Sequence, residues 1–168
     1  QGEPGTTALL RGVLARFAEL GYKIGGFNAY IQSDVLPGSG MSSSASIEVL
    51  LAAILSSLYN ESGVSAVELA KIGRFAENEF MGKPCGLMDQ IACAFGGIVA
   101  IDFRDAENPE ITSIEADFQS AGYLLALVDT GGSHADLTAE YAAVPEEMKR
   151  VARLLEREHL REVDLETV

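Results

Sequence analysis

The chain is poor in positive charge. Against 25 aspartates and glutamates it sets only 12 lysines and arginines in 168 residues, a formal net charge of −13. That balance excludes a general binder of nucleic acid or of an anionic membrane surface, since either needs a basic face. An acidic protein can still hold an anion locally, through backbone amides, a few cations or a metal. Cysteine is scarce as well. Cys85 and Cys93 lack the spacing of a zinc site or a redox pair. Two thiols in a chain of this size fit a reducing cytoplasm, and both read as buried small apolar residues. No run approaches roughly 18 uninterrupted apolar residues, so no membrane span is expected. The opening "QGEPGTTALLRG" has neither a basic region followed by an apolar one nor an initiator methionine. No signal peptide is visible there, and a processed or excised piece is the expectation.

What is present suits a globular protein. Apolar residues make up 48% and charged residues 22%, with length for one sizeable core, or for one domain and part of another. There is no internal repeat and no low-complexity linker. Residues 8–20 carry Leu9, Val13 and Phe17 at helical spacing, with Gly21 as a stop. Residues 27–35 alternate, Phe27, Ala29, Ile31 and Val35 on one face and Asn28, Gln32 and Asp34 on the other, which predicts a half-buried strand. Residues 45–59 are apolar on nearly every side and read as a buried helix.

Ser65 and Glu68 form a capping box for a helix to about Phe80, with Leu69, Ile72, Ala76 and Phe80 as its stripe. "LMDQIACAF" predicts a shorter helix ended by Gly96 and Gly97. Residues 98–103 and 123–130 read as buried strands, with "EITSIEAD" as a strand between them. A last helix is expected over Thr138–Glu158, with Tyr141, Val144, Met148, Val151 and Leu155 on one side. Elements that do not alternate regularly imply an α+β layout.

Two stretches carry chemistry. "LPGSGMSSSASIEVL" places a glycine-rich loop directly before a helix, which leaves amides unpaired at the positive end of the helix dipole. Gly38 and Gly40 let backbone approach a phosphate, and Ser42, Ser43 and Ser44 offer hydroxyls to phosphate or magnesium. The lysine of the Walker loop is missing, and Ser43 stands where a dinucleotide fingerprint needs glycine. A glycine-rich turn with serine caps is the competing reading. The second stretch, residues 77–97, puts Asp89 near the start of an otherwise apolar helix. An acid in such company is paired, capping or functional. Glu77 and Glu79 sit badly with the dipole at the end of their helix. A bound cation would compensate one of them, and a solvated face is the reading preferred for Glu79.

These residues resemble the GHMP family of small-molecule kinases and, within it, its galactokinase branch. "LPGSGMSSSASIEVL" is similar to the family's Gly-x-Gly-Leu-Ser-Ser-Ser-Ala phosphate motif, and "GKPCGLMDQ" resembles the more specific Pro-Cys-Gly-Ile-Met-Asp-Gln segment. "VDTGGSHADLTAEYAAV" resembles a later Ser/Thr-rich stretch that leads to a tyrosine. The likeness extends over essentially the whole chain. Departures are Leu36 between Val35 and Pro37, Met41 in place of leucine, and a "DTGGSHADL" without the usual asparagine and basic residue. An upstream Gly-Glu-His-x-Asp-Tyr sugar signature and a glycine-rich C-terminal motif do not occur, so the resemblance is to a central piece.

The resemblance implies the later part of a ribosomal-protein-S5-like domain over residues 1–115, then the start of a ferredoxin-like domain over 116–168. It implies ATP-dependent phosphorylation of the C1 hydroxyl of galactose. The loop residues Gly38, Ser39, Gly40, Met41, Ser42, Ser43 and Ser44 would hold ATP, and Ser43 and Glu77 would hold Mg2+. Asp89 would take the proton from the C1 hydroxyl or orient it, while Gly86 and Tyr141 would line the sugar pocket. The piece alone is expected to be inactive and prone to self-association. Another GHMP sugar kinase, or a galactose- and ATP-binding sensor without catalysis, is the alternative.

Overall fold

The computed structural model describes residues 5–35, 40–128 and 138–163. Over these residues the chain is α+β, with five α-helices and one two-stranded antiparallel sheet. It divides into two units, Gln1–Gly132 and Ser133–Val168.

In the first unit, α1 (Thr6–Glu19) buries Leu9, Val13 and Phe17 on the predicted stripe. Gly21 closes it in a left-handed conformation, φ 78°. The amide of Tyr22 donates to Phe17 O at 2.9 Å and that of Gly21 to Ala18 O at 3.1 Å, so the last carbonyls are satisfied. α2 (Ser43–Tyr59) and α3 (Ala66–Phe75) pack against it. Ser65 caps α3 as expected, its Oγ accepting from the Glu68 amide at 3.2 Å. Val13, Phe17, Leu51, Ala52, Leu55, Val64, Ile72 and Ala76 make the core. Burying a side chain such as Phe17 or Leu55 stabilises by about 1.5–3 kcal/mol.

α3 does not run unbroken to Phe80. Residues Ala76–Phe80 form a wider π turn, in which the Met81 amide donates five residues back, to Ala76 O. α1 lies close here: a Cβ on Gly12 would stand 2.7 Å from both Cα and Cβ of Ala76. α4 (Met88–Phe95) follows and ends at Gly96 and Gly97, φ 67° and 64°. β1 (Ile98–Asp102) pairs with β2 (Glu110–Ile114) from Ile98↔Ile114 to Asp102↔Glu110. Ile101 and Ile111 tie this hairpin to Ala70, Leu87 and Ile91. A lone hairpin is marginal in water, so this packing is what sustains it.

Two predicted strands are absent from the described residues. Residues 27–35 are irregular, with Tyr30 92% exposed. Residues 123–128 are irregular too, with Leu124 89% exposed. Alternation marks a segment able to pair, but a strand exists only as part of a hydrogen-bonded ladder. Neither segment has such a partner among the described residues. Residues 129 and 130 of the second expected strand lie outside them.

In the second unit, α5 (Thr138–Leu154) contains Pro145 and stops four residues before the expected end. Glu156 adopts φ 57°, its amide donates to Arg153 O at 3.1 Å, and the Arg157 amide donates to Ala152 O at 2.9 Å. That is a helix-ending turn built without glycine. Among the described residues no helix is long and apolar enough to cross a membrane.

Candidate active site

α2 starts abruptly because Ser42 takes the left-handed conformation, φ 57°, one residue beyond Gly40 at φ 77°. Ser42 makes no side-chain cap hydrogen bond. The reading of these serines as simple helix caps therefore fails at Ser42, and the first turn of a 17-residue helix keeps donor capacity at its positive end. Gly40 and Met41 are exposed beside it. Gly38 and Ser39 lie outside the described residues.

Glu77 is the centre of the arrangement. The π turn carries it inward, where it is 3% exposed. Ser44 Oγ donates to Glu77 Oε1 at 3.1 Å, and Lys83 Nζ stands 2.9 Å from the same oxygen. Gln90 Nε2 donates to Glu77 Oε2 at 3.1 Å. The hydroxyl that reaches Glu77 is thus that of Ser44. Ser43 opens α2, and its carbonyl accepts from Ser46 Oγ at 2.9 Å. The hydrogen bond to Glu77 raises the pKa of Lys83, so its ammonium persists as counter-charge. Glu79, by contrast, is exposed.

Asp89 is the second residue of α4, half-buried, while Leu87 occupies the cap position. Asp89 is therefore not the capping residue, although a carboxylate in the first turn is favoured by the dipole. Its neighbour Gln90 is buried and joined to Glu77, which ties the Asp89 turn to the start of α2. Gly86 is exposed, with open space where a Cβ would stand. Asn78 holds the backbone before it: Oδ1 accepts from the Cys85 amide at 2.8 Å, and Nδ2 donates to Cys85 O at 3.5 Å. Tyr141 lies on α5 in the second unit, and its side chain is outside the described residues.

Neither cysteine is fully buried. Cys85 borders this polar site, and Gln90 Nε2 approaches its Sγ at 3.8 Å. Burial, then the Glu77 carboxylate, push its thiol up to about 12. The expectation of two buried core thiols is corrected for both, and Cys85 in addition borders polar groups.

Glu48 is the residue that sequence reasoning passed over. It is 0% exposed on α2, and its Oε2 accepts from Gln90 Nε2 at 3.1 Å. Burial first, then the Glu77 charge, push its acid up to about 8, so it is mostly protonated at neutral pH. A signal was available: Glu48 is the sole charged residue between Asp34 and Glu61, the same kind of isolation that singled out Asp89.

Magnesium takes oxygen donors, usually one or two from protein and the rest from phosphate and water. Glu77 with the Ser44 hydroxyl is such a set, and Lys83 shows that a cation is accepted at Oε1. The donors fit that ion. Among the described residues no cluster of three or more His, Cys, Asp or Glu forms an all-protein metal cage.

Residues 8–97 match the family described as GHMP kinases N terminal domain. Galactokinase of Thermotoga maritima is 34% identical over 160 residues, 95% of this chain and 45% of that protein. Galactokinase of Pyrococcus furiosus is 37% identical over 158 residues, 92% of this chain and 43% of that protein. Galactokinase of Clostridium tetani is 31% identical over 148 residues, 88% and 37% of the two chains. The chain thus spans about two fifths of the length of the curated relatives it matches. The stretch matched to the family holds the serine turn, Glu48, Glu77 and Asp89 together, and with more than half of its residues in that match the chain belongs to the GHMP kinases.

Proposed function

We propose that the natural polypeptide carrying these residues phosphorylates the C1 hydroxyl of galactose with ATP, and that residues 1–168 supply its phosphate loop and its base. The observation that carries this reading is the bonded path Ser44–Glu77–Gln90, which joins the start of α2 to the turn bearing Asp89. Phosphoryl transfer needs little beyond positioning and charge neutralisation, so amides, a cation site and one carboxylate on a common frame suffice.

In this reading Gly38, Ser39, Gly40, Met41, Ser42, Ser43 and Ser44 embrace the ATP phosphates through amides and hydroxyls. Glu77 and Ser43 hold Mg2+, whose part is to neutralise charge on the phosphates. Gly86 and Tyr141 line the sugar. Asp89 accepts the C1 proton while the C1 oxygen bonds to the γ-phosphorus, the bond to the bridging oxygen breaks, and ADP departs. The domain division at residues 115 and 116 and a cytoplasmic location belong to the same proposal. Galactose support comes from the named relatives and from the intact "GKPCGLMDQ" segment.

The natural polypeptide is assayed with ATP and magnesium against galactose, its C2 and C4 epimers and other small alcohols. Galactose 1-phosphate as the preferred product is expected. Preference for another acceptor would make it a different GHMP kinase, and binding of galactose and ATP without product would make it a sensor.

A further inference from the structure

We propose that Glu48 is a positioning residue: buried on α2, it holds the Gln90 amide and through it fixes the Glu77 carboxylate and the first turn of α4. The inference rests on the roles proposed for Glu77 and Asp89. Gln90 Nε2 lies 3.1 Å from Glu48 Oε2 and 3.1 Å from Glu77 Oε2. A side-chain amide has two N–H donors, so one is committed to each carboxyl group. With Oε2 of Glu77 held from α4, its Oε1 is left for Ser44 and Lys83.

The surroundings are built around this contact. Glu48 and Gln90 are 0% and 1% exposed. α3 contributes Gly73, where a Cβ would stand 3.1 Å from Glu48 Cβ, 3.2 Å from Gln90 Cγ and 3.2 Å from Glu48 Oε2. A larger residue on α3 would press on both side chains. Yet Glu48 Oε1 and Gln90 Oε1 are buried without a hydrogen-bond partner. Apolar residues of similar volume would avoid that cost, so packing alone does not account for a glutamate here. Because Gln90 follows Asp89 directly, anchoring its side chain also sets the backbone that presents Asp89.

The test uses the natural polypeptide with Glu48→Met, which keeps volume and removes the acceptor, and Glu48→Gln, which keeps an acceptor and stays neutral. Circular dichroism checks the fold, NMR follows the Gln90 side-chain amide, and galactose phosphorylation is titrated with magnesium. For Glu48→Met the Gln90 amide signals should move and lose exchange protection. Its magnesium half-saturation should rise, and kcat should fall, by about 10- to 100-fold, as when an outer partner of a metal ligand is removed. KM for galactose should stay near that of the parent, and Glu48→Gln should restore the parent on every readout. Parent-like magnesium dependence and kcat in Glu48→Met overturns the proposal, as does a Glu48→Gln variant no better than Glu48→Met. If Glu48→Met does not fold, Gln90→Met removes the same contact from its other end together with the one to Glu77 and should raise magnesium half-saturation and lower kcat in the same way, parent-like values overturning the proposal. If the parent phosphorylates no galactose, the function reading is what has failed. The Gln90 signals then decide this one: unchanged in Glu48→Met they overturn it, and displaced they support it.

Discussion

Replacing Glu48 by glutamine should make the stability of the protein less dependent on pH between about 4.5 and 8. The acid sits at about 8 in the fold, against an ordinary 4.5, chiefly through burial. Within that window the native state holds one proton more than the unfolded chain, so stability falls as pH rises. Its contribution is complete below the ordinary value and lost as pH passes through the raised one. Each pH unit is worth about 1.4 kcal/mol for one proton, so the whole window amounts to about 5 kcal/mol. The exposed carboxyls Asp105, Asp117 and Glu162 are shifted downward by hydrogen bonds from Asn108, Ser120 and His159. Their sign is opposite and they act at lower pH, outside the window. Urea unfolding of parent and Glu48→Gln at several pH values from 5 to 8 isolates the group. The two should be of similar stability near pH 5, with the variant ahead by several kcal/mol at pH 8. The 13Cδ resonance of Glu48 should titrate near 8 in the parent. Parallel stability curves, or a midpoint near 4.5, would refute the argument.

Three further outcomes follow from the site and its packing. Asp89→Asn should keep the fold and ATP affinity while lowering turnover by about two to four orders of magnitude, as removal of a general base does; near-normal turnover would leave Asp89 without a catalytic part. Ser43→Ala and Glu77→Gln should each raise the magnesium concentration needed for activity, and unchanged titrations would take both away from the ion. Gly12→Ala should destabilise by about 1–3 kcal/mol, because its Cβ would meet Ala76 backbone at 2.7 Å; urea unfolding with no loss would mean that α1 can shift freely.

The helices were legible because their signals are local. Leu9, Val13 and Phe17, the Ser65–Glu68 box and the glycines at 21, 96 and 97 act within a turn or two of themselves. The segments 27–35 and 123–128 were misread for the converse reason, since a strand is defined by a partner that its own residues do not specify. The π turn was hidden too: Leu69, Ile72, Ala76 and Phe80 fit an unbroken helix, and only the Met81–Ala76 bond reveals the added residue. At the site, isolation from other charges pointed to Asp89, yet Glu48 has the same isolation and was absorbed into an apolar helix. Lys83 was not read as the partner of Glu77, six residues away in sequence and brought close by the turn between them.

The π turn also sets which changes of length the chain can survive. An ordinary helical residue advances the chain by about 100° around its axis. Because the π turn carries one residue more than a regular turn, deleting one between Ala76 and Phe80 would return the segment to ordinary helix and turn Glu77 to a different direction. Glu77 faces Ser44 and Gln90, while Phe80 lies beside Gly12 on α1. Substitutions here can be mild or severe according to the side chain, but a change of count is a change of phase. The 103–109 connection between β1 and β2 is outside any helix and exposed over most of its length, so a change of count there shifts no helical phase, although Asp105 holds the Glu107 and Asn108 amides.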